Sequence, residues 1–211
     1  MPIDLSNLSD AELAAMEAHL ASQEATQHKL QMFDDYKPYK QQEDFHNAGA
    51  EFPERMFMAG NQLGKTFSGA YEITCHATGI YPAWWKGRVF HHPVSILAGS
   101  ESGELTRDGV QRLLVGTPSV EEEWGTGFIP RAKIAAQPKR RPGVKDAIDA
   151  VVVRHKSGGN SVIRFKSFDQ GRSKWQADTV HVVWMDAEPP KDVYEEALTR
   201  TNSTNGIVFV T

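Results

Sequence analysis

Disulfide chemistry is missing from this sequence, which has one cysteine, Cys75, among 211 residues. A lone cysteine forms no internal disulfide and no cysteine-rich zinc site, which agrees with a reducing compartment. Long apolar runs are missing too: none approaches the roughly 20 residues of a membrane-spanning helix, and residues 1–10 lack the basic start and apolar stretch of a secretory signal. We therefore predict a cytoplasmic protein with no membrane partner.

An excess of positive charge is also missing. The chain has 23 Lys and Arg residues against 27 Asp and Glu, a net charge of −4, which argues against binding nucleic acid through the whole surface. The densest basic cluster is Lys139, Arg140 and Arg141 with Lys145 nearby, and flanking prolines and a glycine predict a loop there. That loop is either a solvated segment or a contact for a DNA backbone or a protein partner.

The composition, 40% hydrophobic and 24% charged, is typical of a globular chain. A helix is predicted from Leu8 to about Phe33, with Ser9 and Glu12 placed to form a capping box. After Pro53, apolar strands alternate with helical stretches, which predicts an α/β fold with a mainly parallel sheet flanked by helices. The predicted domains are an N-terminal helical extension over 1–34 and one α/β domain over 35–211.

The individual elements follow from periodicity and turn residues. Strands are predicted at 55–59, 94–98, 150–154, 161–165, 180–185 and 207–210, and the third and fourth should form a hairpin. Helices are predicted at 41–50, 65–78, 101–114 and 191–201. The last strand runs into the end of the chain with nothing after it to cover it, so we expect that a larger parent protein continues past Thr211.

The strongest local motif, AGNQLGKT, lies between a predicted strand and a predicted helix. Backbone N–H groups of such a loop and the positive end of the helix hold phosphates, Lys65 reaches the β- and γ-phosphates, and the Thr66 hydroxyl binds magnesium. The motif therefore predicts a phosphate-binding loop for a nucleoside triphosphate. Its residues are Ala59, Gly60, Asn61, Gln62, Leu63, Gly64, Lys65 and Thr66.

A second part of the site is predicted where the apolar strand 182–185 ends in Asp186. Nucleotide hydrolysis needs one carboxylate at the end of a neighbouring strand to hold magnesium and another to orient the attacking water. Thr66 and Asp186 are therefore the predicted metal ligands. Ala187 stands where the second carboxylate is expected, and alanine can neither accept a proton nor hold a water. Glu188 comes one residue later, where an extended chain turns its side chain to the opposite face.

These motifs resemble the large terminase subunits of tailed bacteriophages, especially short-tailed phages that package DNA by the headful. The resemblance runs from about Tyr36 to Thr211 and includes the phosphate loop nearly residue for residue, with Ala59 in place of the first glycine. It implies a P-loop NTPase fold of the ASCE, or RecA-like, type. It also implies that Tyr39 and Gln42 grip the adenine of ATP.

The resemblance assigns further roles near the catalytic strand. Residues 186–190 are similar to a family motif that reads Asp-Glu-Glu-Pro-Pro, so Ala187 replaces the glutamate that activates water. We hypothesise an engineered or inactivating substitution that leaves binding of ATP and magnesium intact while hydrolysis falls by orders of magnitude. Thr211 matches the start of the family's coupling motif, which passes the γ-phosphate state onward.

Some family members carry an arginine in the loop where this chain has Asn61, so the resemblance implies that the catalytic arginine comes from elsewhere. Arg172 is the first candidate and Arg200 the second, and the charge could come from a neighbouring subunit of a ring. The predicted catalytic set is Lys65, Asp186, Ala187 in place of glutamate, and Arg172.

The function that the resemblance implies is the ATPase motor of a DNA-packaging terminase, with ATP and magnesium as cofactors. The implied partners are double-stranded DNA, the portal protein, a small terminase subunit and other copies of the chain in a ring on the procapsid, although the isolated module is expected to be a monomer. The implied location is the host cytoplasm at the procapsid portal, and not the mature virion. The family's nuclease domain would lie beyond Thr211, so no nuclease activity is expected here.

Two alternatives stay open at this point. A helicase-like ATPase would remodel nucleic acid away from any capsid, and a second ATPase-like domain beyond Thr211 would favour it. If Ala187 is natural, the chain could instead be an assembly module that binds nucleotide without hydrolysing it.

Overall fold

Seven strands form one sheet at the centre of the structure, a computed structural model that describes residues 9–30, 32–60, 62–176 and 179–211. The strands are β1 Glu54–Met56, β2 Ser95–Ser100, β3 Lys139–Arg140, β4 Ile148–Arg154, β5 Asn160–Ser167, β6 Val182–Asp186 and β7 Ile207–Val210. The helices are α1 Asp10–Leu30, α2 Lys40–Ala48, α3 Lys65–Thr78, α4, made of Gly103–Leu105, Thr106–Gln111 and Arg112–Val115 in succession, and α5 Lys191–Thr201.

The strand order is β1-β7-β6-β2-β5-β4-β3. Strands β1, β7, β6, β2 and β5 run parallel, and β4 and β3 complete the sheet in antiparallel pairing. The predicted α/β class with a mainly parallel sheet is confirmed, and so is the hairpin, which is β4 with β5. Because these strands are parallel, the carboxyl ends of β1, β6 and β7 lie along the same edge of the sheet. Ligand sites of such sheets are expected at this edge.

Apolar side chains cover both faces of the sheet, as the alternation along β6 shows. Val182 and Trp184 belong to the core layer that contains α3 and α4, whereas Val183 and Met185 belong to the layer that contains α5. This alternation follows from the two-residue period of a strand. Cys75, the one cysteine of the chain, is fully buried in the first layer.

The contact of α3 with β6 depends on a glycine. A Cβ at Gly69 would lie 2.4 Å from Cε2 of Trp184, whereas one at Gly109 in α4 would meet only Asp186 Oδ2 at 3.8 Å. We expect Gly69→Ala to lower the free energy of unfolding by about 1–3 kcal/mol, because the indole is packed in place. Gly109→Ala is the matched control and should cause no loss. Urea unfolding measures the stability of both variants, provided that the m-value is unchanged. Equal unfolding midpoints for the two variants would contradict the tight contact between Gly69 and Trp184.

The basic cluster predicted as a loop is partly a strand. Lys139 and Arg140 form β3 at the sheet edge, so the loop prediction was wrong for these two residues. Arg140 lies 4.9 Å from the ring of Trp124 and forms a salt bridge with Glu121. The prolines and glycine around the cluster indicated a turn, but not the pairing of Lys139 and Arg140 with Ala150 and Ile148 of β4.

Element ends also differ from the predictions. The first strand stops at Met56 rather than at Ala59, because the backbone leaves the sheet to form the loop before α3. The predicted helix 101–114 is α4, in which Thr106–Gln111 is π-helical. At the start of α1 the predicted capping box is confirmed, because Ser9 N donates to Glu12 Oε2 at 2.9 Å and Glu12 N to Ser9 Oγ at 3.4 Å.

The N-terminal part meets the core through aromatic side chains. Phe33 stacks on Tyr71 of α3 at 5.1 Å, and Tyr36 stacks on the same ring at 3.9 Å. The domain boundary at residue 34 stays a prediction. Within the described residues, no helix combines the length and the apolar character needed to cross a membrane.

Candidate active site

The phosphate loop occupies residues 57–64, between β1 and α3, and Asn61 lies outside the described residues. Gln62 and Gly64 have φ angles of 62° and 72°, which turn the chain into the first residue of α3, Lys65. Only glycine adopts such a φ freely. The loop therefore ends at a helix N-terminus, whose first N–H groups lack helical partners and can bind an anion.

The side chain of Lys65 lies back over this loop. Its Nζ donates to the carbonyl oxygens of Ala59 at 2.7 Å and Gly60 at 3.1 Å. An ammonium group held by two exchangeable neutral acceptors can transfer its hydrogen bonds to phosphate oxygens, which are the stronger acceptors. The structure thus brings Ala59, Gly60 and Lys65 together as the motif predicted.

Residues at the start of α2 contact the loop from its other side. The Tyr39 hydroxyl donates to the Leu63 carbonyl at 2.7 Å, and Gln42 Nε2 donates to the Gly64 carbonyl at 3.3 Å. Gln42 Oε1 accepts the backbone N–H of Tyr39 at 3.2 Å, so the amide also caps its own helix. Tyr39 and Gln42 therefore border the loop, and their contact with adenine stays a prediction.

Asp186 ends β6 beside the start of α3. The pKa of its carboxyl group is raised by burial, while hydrogen bonds from Thr66 and Thr211 and the charge of Lys65 oppose that rise. Its backbone carbonyl accepts the Ser100 hydroxyl at 2.6 Å, which fixes the end of β6 against β2. One carboxylate and one hydroxyl oxygen are a donor set that suits magnesium, which keeps its other positions for water and phosphate.

Thr211 links this carboxylate to the core. Its Oγ1 donates to Asp186 Oδ1 at 2.9 Å and accepts the indole N–H of Trp184 at 2.8 Å. Its backbone N–H donates to the Met185 carbonyl at 3.0 Å. The residue predicted for coupling therefore contacts the predicted metal-side carboxylate directly, although the coupling role itself stays a prediction.

The family model described as "Terminase large subunit, T4likevirus-type, N-terminal" matches residues 56–211, which include the loop, Asp186 and Thr211. This chain belongs to the large terminase subunit family. The terminase large subunit of Salmonella phage P22 is 39% identical over 215 residues, an alignment that covers 94% of this chain and 43% of that protein. The chain thus spans less than half the length of that relative.

Two solved structures of the large terminase from a thermophilic bacteriophage are also similar. One is a complex with ADP, with a TM-score of 0.47 and 10% identity, covering 88% of this chain and 37% of that one. The other is a complex with ATP-gamma-S, with a TM-score of 0.45 and 11% identity, covering 88% and 36%.

In this terminase chain, Ala187 follows the metal-side carboxylate directly. Its φ of 126° lies in a region that side chains rarely adopt, and such outliers concentrate at functional sites. The next residue, Glu188, is exposed and lines a separate cavity with Glu101, Phe168 and Asp169. The sequence analysis predicted, from the alternation of side chains along an extended chain, that Glu188 faces away from the site. In agreement with that prediction, the structure does not bring the Glu188 side chain to Thr66.

The two candidate arginines of the terminase site share one partner. Arg172 Nε donates to Glu196 Oε2 at 2.7 Å, and Arg200 Nε donates to Glu196 Oε1 at 2.6 Å. The carbonyl of Arg200 accepts the N–H of Val180, at the end of β6 opposite Asp186. In the described part of the chain, neither guanidinium contacts the phosphate loop, so neither is placed for catalysis within its own subunit.

A buried carboxylate that the sequence analysis did not identify joins the elements of this site. Glu72 of α3 accepts from Arg55 Nη2 of β1 at 2.5 Å, from His46 Nδ1 of α2 at 2.7 Å and from His76 Nε2 at 3.3 Å. Of these three contacts, only the one between Glu72 and His76, four residues apart on α3, could have been predicted from residues close in sequence. The cluster ties together the helix that carries Gln42, the strand before the loop and the helix after it.

Proposed function

We propose that this chain is the ATPase module of a phage DNA-packaging motor. It binds ATP with magnesium, and in the intact protein it couples hydrolysis to the movement of double-stranded DNA into the procapsid. The observation that carries the proposal is the position of Asp186, hydrogen-bonded by Thr211 at the end of β6 and next to Thr66 and Lys65 at the start of α3. Family membership favours packaging over a helicase-like role.

The arrangement accounts for binding and charge stabilisation by the chain's own groups. The free N–H groups at the start of α3 hold the β- and γ-phosphates, and Lys65 transfers its hydrogen bonds from Ala59 and Gly60 to them. Thr66 and Asp186 would hold magnesium, which supplies neutralisation of the phosphate charge when it is bound. Tyr39 and Gln42, at the edge of the loop, are placed to contact the base.

Hydrolysis by the chain as it stands is proposed to be impaired. Catalysis needs a carboxylate to orient and deprotonate water, and Ala187 offers none next to Asp186. The same observation supports a second candidate function, a nucleotide-binding assembly module that never hydrolyses ATP. The response of turnover to a glutamate at position 187 separates the two.

The partners and location are part of the proposal. We infer that Arg172 supplies a positive charge to the site of a neighbouring subunit in a ring, because its side chain is 56% exposed although it is paired with Glu196. The ring would form on the procapsid with portal protein, small terminase subunit and DNA, in the host cytoplasm and not in the mature virion. The isolated module is expected to be a monomer.

Equilibrium binding of a fluorescent ATP analogue, with magnesium or with EDTA, tests the site directly. We expect magnesium-dependent binding, and a dissociation constant about 10- to 100-fold higher for Lys65→Ala, because a charge-assisted contact worth about 1.5–3 kcal/mol is lost. Lys191→Ala is the matched control, since Lys191 is 87% exposed on α5. Binding that ignores both magnesium and Lys65 would contradict the proposed function.

A further inference from the structure

A cavity of about 440 Å³ opens beside the phosphate loop, between Thr66 and the helix α4. Its volume lies within the range of small-molecule sites. Its walls include Thr66, Asp108, Gly109, Arg112 and Glu123. Since Thr66 is a predicted metal ligand, the cavity adjoins the position that the terminal phosphate of ATP would take.

The helix α4 is irregular where it passes this point. Residues Thr106–Gln111 are π-helical, and π-helical turns occur mostly at functional sites. A Cβ added to Gly109 would lie 3.8 Å from Asp186 Oδ2, so the π-helical turn passes directly against the metal-side carboxylate. Arg112 begins the next α-helical segment, and it lines the same cavity as Thr66.

The charges around the cavity leave Arg112 available for a ligand. Arg112 is exposed, and within the described residues its side chain makes no hydrogen bond, while the nearby Asp108 is held in a two-point hydrogen bond by Arg107 at 2.7 and 2.8 Å. That pairing, assisted by the charge of Arg112, lowers the pKa of Asp108. The walls also carry Glu123, so an entering phosphate needs a positive group on this side.

We propose that Arg112 is a further catalytic residue, which contacts the terminal phosphate of ATP from within the same subunit. It would supply the positive charge that the phosphate loop lacks at Asn61, while Lys65 and Thr66 hold the other side of that phosphate. A planar guanidinium offers two parallel donors to phosphate oxygens, which matches this task better than a point charge. The inference rests on the proposed function, and it is separate from the role given to Arg172 in a ring.

The first test uses nucleotide discrimination and needs no turnover. ATP-gamma-S and ADP are titrated with magnesium against the unchanged chain, Arg112→Ala, Arg112→Lys and the control Arg164→Ala. Arg164 is exposed on β5, and its side chain donates a hydrogen bond to Ser95 Oγ at 3.1 Å. We expect Arg112→Ala to weaken ATP-gamma-S binding at least tenfold and ADP binding less than twofold, with partial recovery in Arg112→Lys.

The second test measures turnover and transition-state trapping in a chain that carries Ala187→Glu. Arg112→Ala should lower kcat about 100-fold, the usual effect of removing one donor to the transition state, and should abolish trapping of ADP with aluminium fluoride. Unchanged discrimination between ATP-gamma-S and ADP in Arg112→Ala would overturn the inference and leave the proposed function standing. Failure of the unchanged chain to bind either nucleotide with magnesium would overturn the proposed function, and the inference with it.

Discussion

Replacing Ala187 with glutamate is expected to raise ATP turnover by about 10²- to 10⁴-fold, which is the usual contribution of a positioned general base. The new carboxylate would follow Asp186 immediately, at the edge of the sheet where the loop and β6 meet. Phosphate release with magnesium, with and without duplex DNA, measures the effect. Duplex DNA should increase the rate of hydrolysis further, because the proposed motor couples hydrolysis to the movement of DNA.

The matched control is Ala187→Gln, which has the same length but cannot accept a proton. Alanine, glutamine and glutamate all carry a Cβ, so each bears the same backbone strain at the φ of 126°. Any difference in turnover is then due to the carboxylate. Equal rates for the glutamate and glutamine variants would contradict the assigned role of position 187, and slow turnover in both would favour the assembly-module function.

Replacing Glu72 with alanine is expected to lower the free energy of unfolding by about 3–5 kcal/mol, the cost of breaking a buried ion pair from one side. The Glu72 side chain is 1% exposed, and its loss leaves Arg55, 4% exposed, without a counter-charge. Urea unfolding measures the change. Glu195→Ala is the matched control, because Glu195 is 59% exposed and its ion pair with Lys191 lies on the surface of α5.

The pH dependence gives an independent check of this cluster. Burial alone would raise the pKa of Glu72, but Arg55 and the hydrogen bonds of His46 and His76 hold it well below its usual 4.5. A carboxyl group whose pKa is lowered on folding stabilises the fold above its unfolded pKa and loses that contribution as the pH falls. The difference in the free energy of unfolding between the unchanged chain and Glu72→Gln should therefore narrow below about pH 4.5. A difference that stays constant with pH would contradict the charged state of Glu72.

The sequence predicted those parts of the site that depend on neighbouring residues. The loop at 59–66 and Asp186 were readable because a strand, a turn and a helix follow each other along the chain. Glu72 was not predicted, because Arg55 and His46 reach it from β1 and α2. The role proposed for Arg112 could not be predicted for the same reason, because the cavity that it lines also takes Thr66 from α3 and Glu123 from the segment after α4.

Fold-level predictions divide in the same way. Alternating strands and helices indicated the parallel sheet, because that alternation leaves few other ways to bury the apolar strands. The edge strand β3 has only two residues, too few for strand alternation to indicate it. The π-helical part of α4 passes Asp186, which is distant in sequence, and helical periodicity carries no information about such a neighbour.

The hydroxyl group of Thr211 has a single proton, and the structure commits it to Asp186, while a lone pair of the same oxygen is taken by the indole of Trp184. A cation bound at Asp186 would compete for the lone pair that receives this proton. The backbone N–H of Thr211 is held by the Met185 carbonyl, so rotation of the side chain is the motion left to it. Occupation of the metal site would then turn the hydroxyl proton of Thr211, the residue immediately after β7, towards another acceptor.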